Sequence, residues 1–201
     1  MSSQIVFRPD DTILIKNVRL SYEHVFKPWS MNPGEKQKYS GKFLMPKTTH
    51  KAEIQALGSH LMKMCQEKFK SKLPADKLFL RDGDASGKPE QEGHFIVSAS
   101  EDKKPNVINR DKTPLAEEDD VVYSGCYVHV LIRPWSQANS FGKRINANLL
   151  AVQFAKDGER FSGVSRPDVD QVFDDESGAL DDATGHAAAG AGSGSGEFSF
   201  D

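Results

Sequence analysis

The residues of this chain whose types could do chemistry are aromatics standing next to cations. The densest group lies between Val121 and Phe154, in VVYSGCYVHVLIRPWSQANSFGKRINANLLAVQF. Side chains leave a strand on alternate faces. Val122, Cys126, Val128, Val130 and Ile132 therefore form a plain core face, and Tyr123, Tyr127, His129, Leu131 and Arg133 form the other. A loop from Pro134 to Arg144 sets Trp135 and Phe141 beside Lys143 and Arg144, and a return strand carries Asn146 and Asn148 opposite Ile145, Ala147 and Leu149. Rings, cations and amides on one side of a sheet suit a single strand of nucleic acid. Bases stack on the rings, cations track the phosphates, and amides meet base edges. A second such group, Phe26, Lys27, Trp29, Lys36, Lys38 and Tyr39, falls in the segment from Glu23 to Tyr39.

The candidate binding residues are thus Trp29, Tyr39, Lys42, Arg110, Tyr123, Tyr127, His129, Arg133, Trp135, Phe141, Lys143, Arg144 and Asn146. Plainer readings stand beside them. Tyr123 and Tyr127 also fit ordinary sheet residues with wet hydroxyls, His129 a half-buried sheet residue, and Trp29 a plug at a barrel end. Phe43 and Phe95 read as core.

Other chemistry finds little support. The chain has no glycine-rich phosphate loop, no GxSxG and no HExxH. Cys65 and Cys126 lack a His at ligand spacing and a setting for nucleophilic catalysis. Asp82 with Asp84, and the run Glu117 to Asp120, read as a turn and a solvated loop rather than metal ligands. No catalytic residue, no metal and no cofactor is expected.

The elements that must position the candidates are mostly strands: Ile13–Tyr22, Ser40–Met45, Lys77–Arg81, His94–Ser100 and the two around the central loop. The segment Glu23 to Tyr39, with Pro28, Pro33 and Gly34, reads as a loop. From Lys51 onward Ile54, Leu57, Leu61, Met64, Cys65 and Phe69 recur at helical spacing, so a helix should run from an N-cap at Thr49 to about Leu73. Its outer face is basic, with Lys63, Lys68, Lys70 and Lys72, and reads as a solvated side. The expected fold is mainly β with one long helix: an OB-fold-like, partly open barrel of five to six strands over residues 1–167.

Beyond Pro167 the composition turns to Ala, Gly, Ser and Asp. Such a segment buries too little apolar area to offset chain entropy, so residues 168–201 are expected to form a disordered acidic tail. Nine acidic residues and no Lys or Arg lie there, which leaves all 26 basic residues against 20 acidic ones in the body. A basic body tethered to an acidic tail allows the tail to compete for the body's own anion site. Phe198, Phe200 and Asp201 close the tail and read as a partner-docking motif. No secretory signal and no apolar run of membrane-spanning length is present, so a cytoplasmic protein with no membrane partner is expected.

The chain resembles a family of bacteriophage single-stranded-DNA-binding proteins, long described only as a domain of unknown function. The similar stretches are NVRLSYEHVFKP (Asn17–Pro28), GKFLMPK (Gly41–Lys47), RDGD (Arg81–Asp84), PNVINRD (Pro105–Asp111), YSGCYVHVLIRPW (Tyr123–Trp135) and GKRINANLLAVQFAKDGERF (Gly142–Phe161). The last two are the most specific. The resemblance implies an oligonucleotide-binding fold, sequence-independent binding of single-stranded DNA in phage replication or recombination, and no catalysis. For a phage-encoded chain the cytoplasm is the host's. By analogy with replicative single-strand binders, the tail would recruit replication or recombination proteins. Duplex DNA and RNA stand as weaker ligands. The residues leave two other classes open: an RNA-binding or RNA-chaperone module on the same fold, and a metal-dependent nuclease or strand-annealing protein.

Overall fold

The computed structural model describes residues 4–140 and 142–161. Eight strands and one long helix follow in order: β1 (Ile5–Phe7), β2 (Ile13–Trp29), β3 (Lys38–Pro46), α1 (Lys51–Phe69), β4 (Leu80–Asp82), β5 (His94–Glu101), β6 (Asn106–Ile108), β7 (Tyr127–Asn139) and β8 (Gly142–Lys156). They form one sheet in the order β4-β5-β3-β2-β7-β8-β6, with β1 added on β2. Every pairing is antiparallel except β6 with β8. The sheet curls until β8 runs beside β5, and Leu78, just before β4, forms a bridge with Ile145 of β8. The result is the mainly β, OB-like architecture expected, with one helix.

The core is the inward face of this curled sheet. Ile13, Ile15, Val18 and Leu20 of β2 meet Phe43 and Met45 of β3, Val97 of β5, and Val128, Val130 and Ile132 of β7. Ile145, Leu149 and Val152 of β8 complete it. The even positions of β7 are buried as the alternation requires. Helix α1 packs Leu57, Leu61 and Cys65 into the same cluster, one stripe at the spacing of a helical face. Burial pushes the Cys126 thiol up to about 11, so it is an inert packing residue. The helix starts after His50, whose ring Nδ1 lies 2.9 Å from Thr49 Oγ1, and not after a capping Thr49. It stops at Phe69, four residues short of Leu73, because Lys70 adopts a left-handed conformation and returns its N–H to Gln66 O.

Two expected loops are strands. β2 runs 17 residues, to Trp29, through a segment whose prolines had read as loop. At about 3.3 Å per residue it would span roughly 55 Å if straight. It bends instead at bulges, where the β2–β3 register shifts between Ser21 and His24 and again before Trp29. Pro28 is tolerated because only scattered ladder contacts, His24 with Ser40 and Trp29 with Lys38, hold this end. Likewise Pro134–Arg144 continues the β7–β8 ladder as far as the pair Asn139 and Gly142. The protein thus carries two hairpin arms, one from β2 and β3 and one from β7 and β8. The three-residue strands β1 and β6, not among the expected runs, bring the count to eight, and the strand expected over Lys77–Arg81 is β4 at Leu80–Asp82, because Lys77 ends a 3-10 turn.

Candidate nucleic-acid interface

A trough runs over β3 and β5 and is walled by the two arms. Its floor is small: Ser40 pairs with Ser100, Gly41 with Ala99 and Lys42 with Ser98. Short side chains keep the floor low, so the rings at the rim stand clear of it. The first part holds Tyr22, His24 and Trp29 from the β2 arm, with Lys42, Arg81 and Lys88, and is closed on the far side by Arg144 and Asn146 of β8. It encloses about 290 Å³. A second part continues from Arg144 and Asn146 to Trp135, Gln137 and Asn148, opposite Lys38 and Asp102. Trp135 and Asn146 are direct cross-strand partners and share a face, as do Gln137 and Arg144.

The rings here are open. Trp29 is 47% exposed, Tyr22 40% and Trp135 40%, large values for residues of their size. His24 stacks on Trp29 with centroids 4.8 Å apart and planes 10° from parallel, which holds the indole flat while its other face stays available. Tyr22 lies between two ammonium groups, Lys42 at 4.5 Å and Lys88 at 4.2 Å from its ring centroid. Its hydroxyl accepts a hydrogen bond from Lys88 and donates to Glu90 at 3.1 Å. The Tyr22 backbone sits at φ +51°, a left-handed conformation uncommon for a bulky aromatic. Local strain of this kind is held where the surrounding structure fixes a functional side chain.

Among the described residues Lys42, Lys88, Arg81 and Arg144 of the trough form no salt bridge, while Lys38 is paired with Asp102. Burial first, then repulsion from Lys88 and Arg81, lowers the Lys42 ammonium below its ordinary value. Only Glu90 acts in the other direction, so this half-buried cation among cations can take a further anion. Arg144 and Arg133 form no ion pair among the described residues. Arg81 donates only to backbone carbonyls, those of Leu78 and Asp76, each at 3.2 Å. Asp102, at the end of the trough, is held by Lys36 at 2.6 Å and Lys38 at 3.8 Å, which keeps its carboxyl below the usual range.

The expected site residues divide. Trp29, Lys42, Trp135, Arg144 and Asn146 line the trough. Arg133 pairs with Asn148 one step from it, and Lys143 lies on the tip of the β7–β8 arm, 5.6 Å from the Phe69 ring centroid. Tyr39 is on β3 opposite Glu101, at the margin. Tyr123, Tyr127, His129 and Arg110 are occupied elsewhere. The Tyr123 hydroxyl lies 3.0 Å from both Asp157 Oδ1 and Gly158 O and accepts the Gly158 N–H at 3.2 Å. The Arg160 guanidinium covers its ring at 3.8 Å and reaches Asp120 at 2.9 Å. Lys156 caps the Tyr127 ring at 4.4 Å. His129 Nδ1 accepts the N–H of Asn17, whose φ of +56° marks the bulge between Ile15 and Val18 of β2. That ring satisfies an amide the ladder leaves unpaired, and burial lowers its pKa, in keeping with a neutral acceptor. Arg110 lies over Phe154 at 5.6 Å, on the β6 side. Phe141, Phe198, Phe200 and Asp201 lie outside the described residues.

Tyr22, His24, Arg81 and Lys88 are trough residues that sequence reasoning missed. The signal available was the run of small residues in SASE, which leaves room over β5, but nothing local linked it to Lys88 or Tyr22. The carboxylates weighed for metal binding are engaged by cations. Lys47 bridges Asp82 and Asp84 at 2.6 Å each, and Lys27 reaches Glu117 at 2.6 Å. Among the described residues no three His, Cys, Asp or Glu side chains group as metal ligands, and no helix is long and apolar enough to cross a membrane.

Residues 11–184 match the model of the family described as Enterobacter phage Enc34, ssDNA-binding protein. The chain belongs to this family. A curated relative, putative protein p50 of Acyrthosiphon pisum secondary endosymbiont phage 1, is 32% identical over 174 residues, 81% of this chain and 92% of that protein. The solved single-stranded DNA-binding protein from bacteriophage Enc34 in complex with ssDNA superposes with a TM-score of 0.74 at 38% identity, covering 81% of this chain and 96% of that one. The Enc34 protein without that description of a complex gives 0.72 at 37% identity, covering 87% and 96%. The expected family and the OB-like fold are thereby established for this chain.

Proposed function

We propose that this protein binds single-stranded DNA without reading its sequence, with the strand lying along the trough. The observation that carries the reading is the convergence of open rings, uncompensated cations and an amide in one concavity. Trp29 and Trp135 offer faces for bases, Lys42 and Lys88, gathered on the Tyr22 ring, meet phosphates with Arg81 and Arg144, and Asn146 reaches base edges. Any base has a π-face, so stacking tolerates sequence, and each stack is worth about 1–3 kcal/mol. Membership of a phage family whose solved member is described in complex with ssDNA supports the same ligand. The function is passive: the bound strand is shielded from nucleases and kept from forming hairpins during phage DNA replication or recombination. The acidic tail from Asp168 recruits replication or recombination proteins through Phe198, Phe200 and Asp201, and tempers binding by competing for the trough at high effective concentration. Duplex DNA and RNA bind more weakly.

Anisotropy of a fluorescent oligothymidine over a salt series tests this, with the full chain compared with one ending at Pro167. Log affinity should fall by about 0.7 per phosphate contact for each tenfold rise in salt. Truncation should tighten binding. Replacing Lys42 and Arg144 by Gln should flatten the salt slope by roughly 1.4, two contacts' worth. Failure of either form to bind at low salt would discard the reading.

A further inference from the structure

From the geometry around Trp135 we infer a second track for the DNA strand, over the β7–β8 arm and onto the C-terminal half of helix α1. This rests on the trough reading and extends it. Trp135 lines the trough beside Arg144 and Asn146, and it also lines a separate cleft between the arm and α1, with His60, Lys63 and Lys68. One exposed ring therefore serves two concavities, and among the described residues no other aromatic ring stacks on it.

Electrostatics choose the direction in which a strand leaves Trp135. Straight on, at the far end of the trough, stand Glu101 and Asp102 with Lys36 and Lys38, which pair with Asp102, so the charges there balance. Over the arm stands Lys143, within 5.6 Å of the Phe69 ring, which brings the arm's cation to the end of α1. The segment from Lys63 to Lys72 adds Lys63, Lys68, Lys70 and Lys72, all exposed, with Glu67 as its one acid. Glu67 lies 3.9 Å from Lys63, and Asp11 lines the far side of the cleft. The balance is positive by three charges on the helix segment and by four with Lys143. A phosphate backbone passing the tip of the arm gains this net positive charge, which the balanced end of the trough does not offer. The basic side of α1, which read from sequence as merely solvated, is then the second half of an interface.

The consequence is a site size set in two stages. An oligothymidine of about 8 nucleotides fills the trough alone, and one of about 20 nucleotides also crosses Trp135 and reaches α1. The test is the variant Lys63→Gln/Lys68→Gln in the full chain, with both lengths measured by anisotropy over a salt series. The variant should bind the short strand as the parent does. It should bind the long strand about tenfold less tightly, with a salt slope smaller by roughly 1.4. Equal affinity of variant and parent for the long strand overturns the second track, as does an equal loss for both lengths. If the parent binds neither length, the trough reading itself fails, and this is a different result from loss of the extension. Circular dichroism of the variant should match the parent's, since both lysines are exposed. Tight binding of the long strand by a variant with a disturbed helix would also overturn the track.

Discussion

The trough and the seam between the Tyr123 turn and the chain after β8 use the same two kinds of group, an aromatic ring and a cation. In the seam the rings of Tyr123, Tyr127 and Phe161 each have a cation, and both arginines, Arg19 and Arg160, have oxygen acceptors. Arg160 lies on Tyr123, Lys156 on Tyr127 and Arg19 on Phe161 at 4.1 Å. Arg19 also donates to Gly125 O at 3.0 Å and Glu159 O at 2.6 Å. Gly125, at φ +117°, leaves no space for a side chain, since a Cβ there would sit 2.1 Å from Glu159 O. In the trough Trp29 and Trp135 carry no cation on their rings among the described residues, Tyr22 has two, and the cations there repel one another. A satisfied ring–cation pair holds chain segments together, and an unsatisfied set awaits a ligand. The stretches most specific to the family, Tyr123–Trp135 and Gly142–Phe161, hold the seam residues together with Trp135, Arg144 and Asn146 of the trough, whose other residues come from separate parts of the chain.

The largest effect that would probe this contrast is in the seam. Gly125→Ala should destabilise the fold by about 3 kcal/mol, through the strained φ and the backbone collision, read as a lower denaturation midpoint. The protein that remains folded should bind oligothymidine as before. A loss of affinity with stability intact would show that the seam belongs to the interface. Next, Trp135→Ala should cost about 1–3 kcal/mol of oligothymidine affinity and leave stability within about 0.5 kcal/mol. A structural role for Trp135 would reverse those two readouts. Tyr123→Phe should lower stability by about 1 kcal/mol, because the Gly158 N–H loses its acceptor, with DNA affinity unchanged by titration.

The smallest effect is a pH dependence that His129 carries. Burial holds its folded pKa below the ordinary histidine value, so the unfolded chain binds the proton more readily. Its contribution to stability is present above a pH of about 6.5 and is lost as the pH falls through the lower folded value. His24 and His60 shift in the same direction, also by burial. Melting temperature should therefore fall on acidification from neutral pH, and His129→Asn should remove part of that slope without altering DNA affinity at neutral pH. An unchanged slope would mean that the Asn17 amide does not depend on a neutral imidazole.

The alternation of Val128, Val130 and Ile132, the helical spacing of Leu57, Leu61 and Cys65, and the polar surplus were enough to give a mainly β fold with one helix. Those patterns are local and each buries one face, so they are written in neighbouring residues. The length of β2 beyond Tyr22 and of β7 beyond Pro134 was not legible, because proline reads as a breaker until it is known that the strand lies at the end of an arm with few ladder bonds. The three-residue strands β1 and β6 are too short for alternation to register and exist through their partners.

For the candidate site, residue type alone pointed to Trp29, Lys42, Trp135, Arg144 and Asn146, which line the trough. It could not separate them from Tyr123, Tyr127 and His129, which have similar chemistry and, by parity, share the face of Trp135. Whether a ring is capped by Arg160 or left open depends on which distant segment arrives beside it. The sequence by itself determined the composition of the surface, its core faces and its family. Only the curling of the sheet, which carries β8 round to β5 and brings Arg144 opposite Lys42, decided which of those rings and cations are free, because freedom here is the absence of a partner that folding could have supplied.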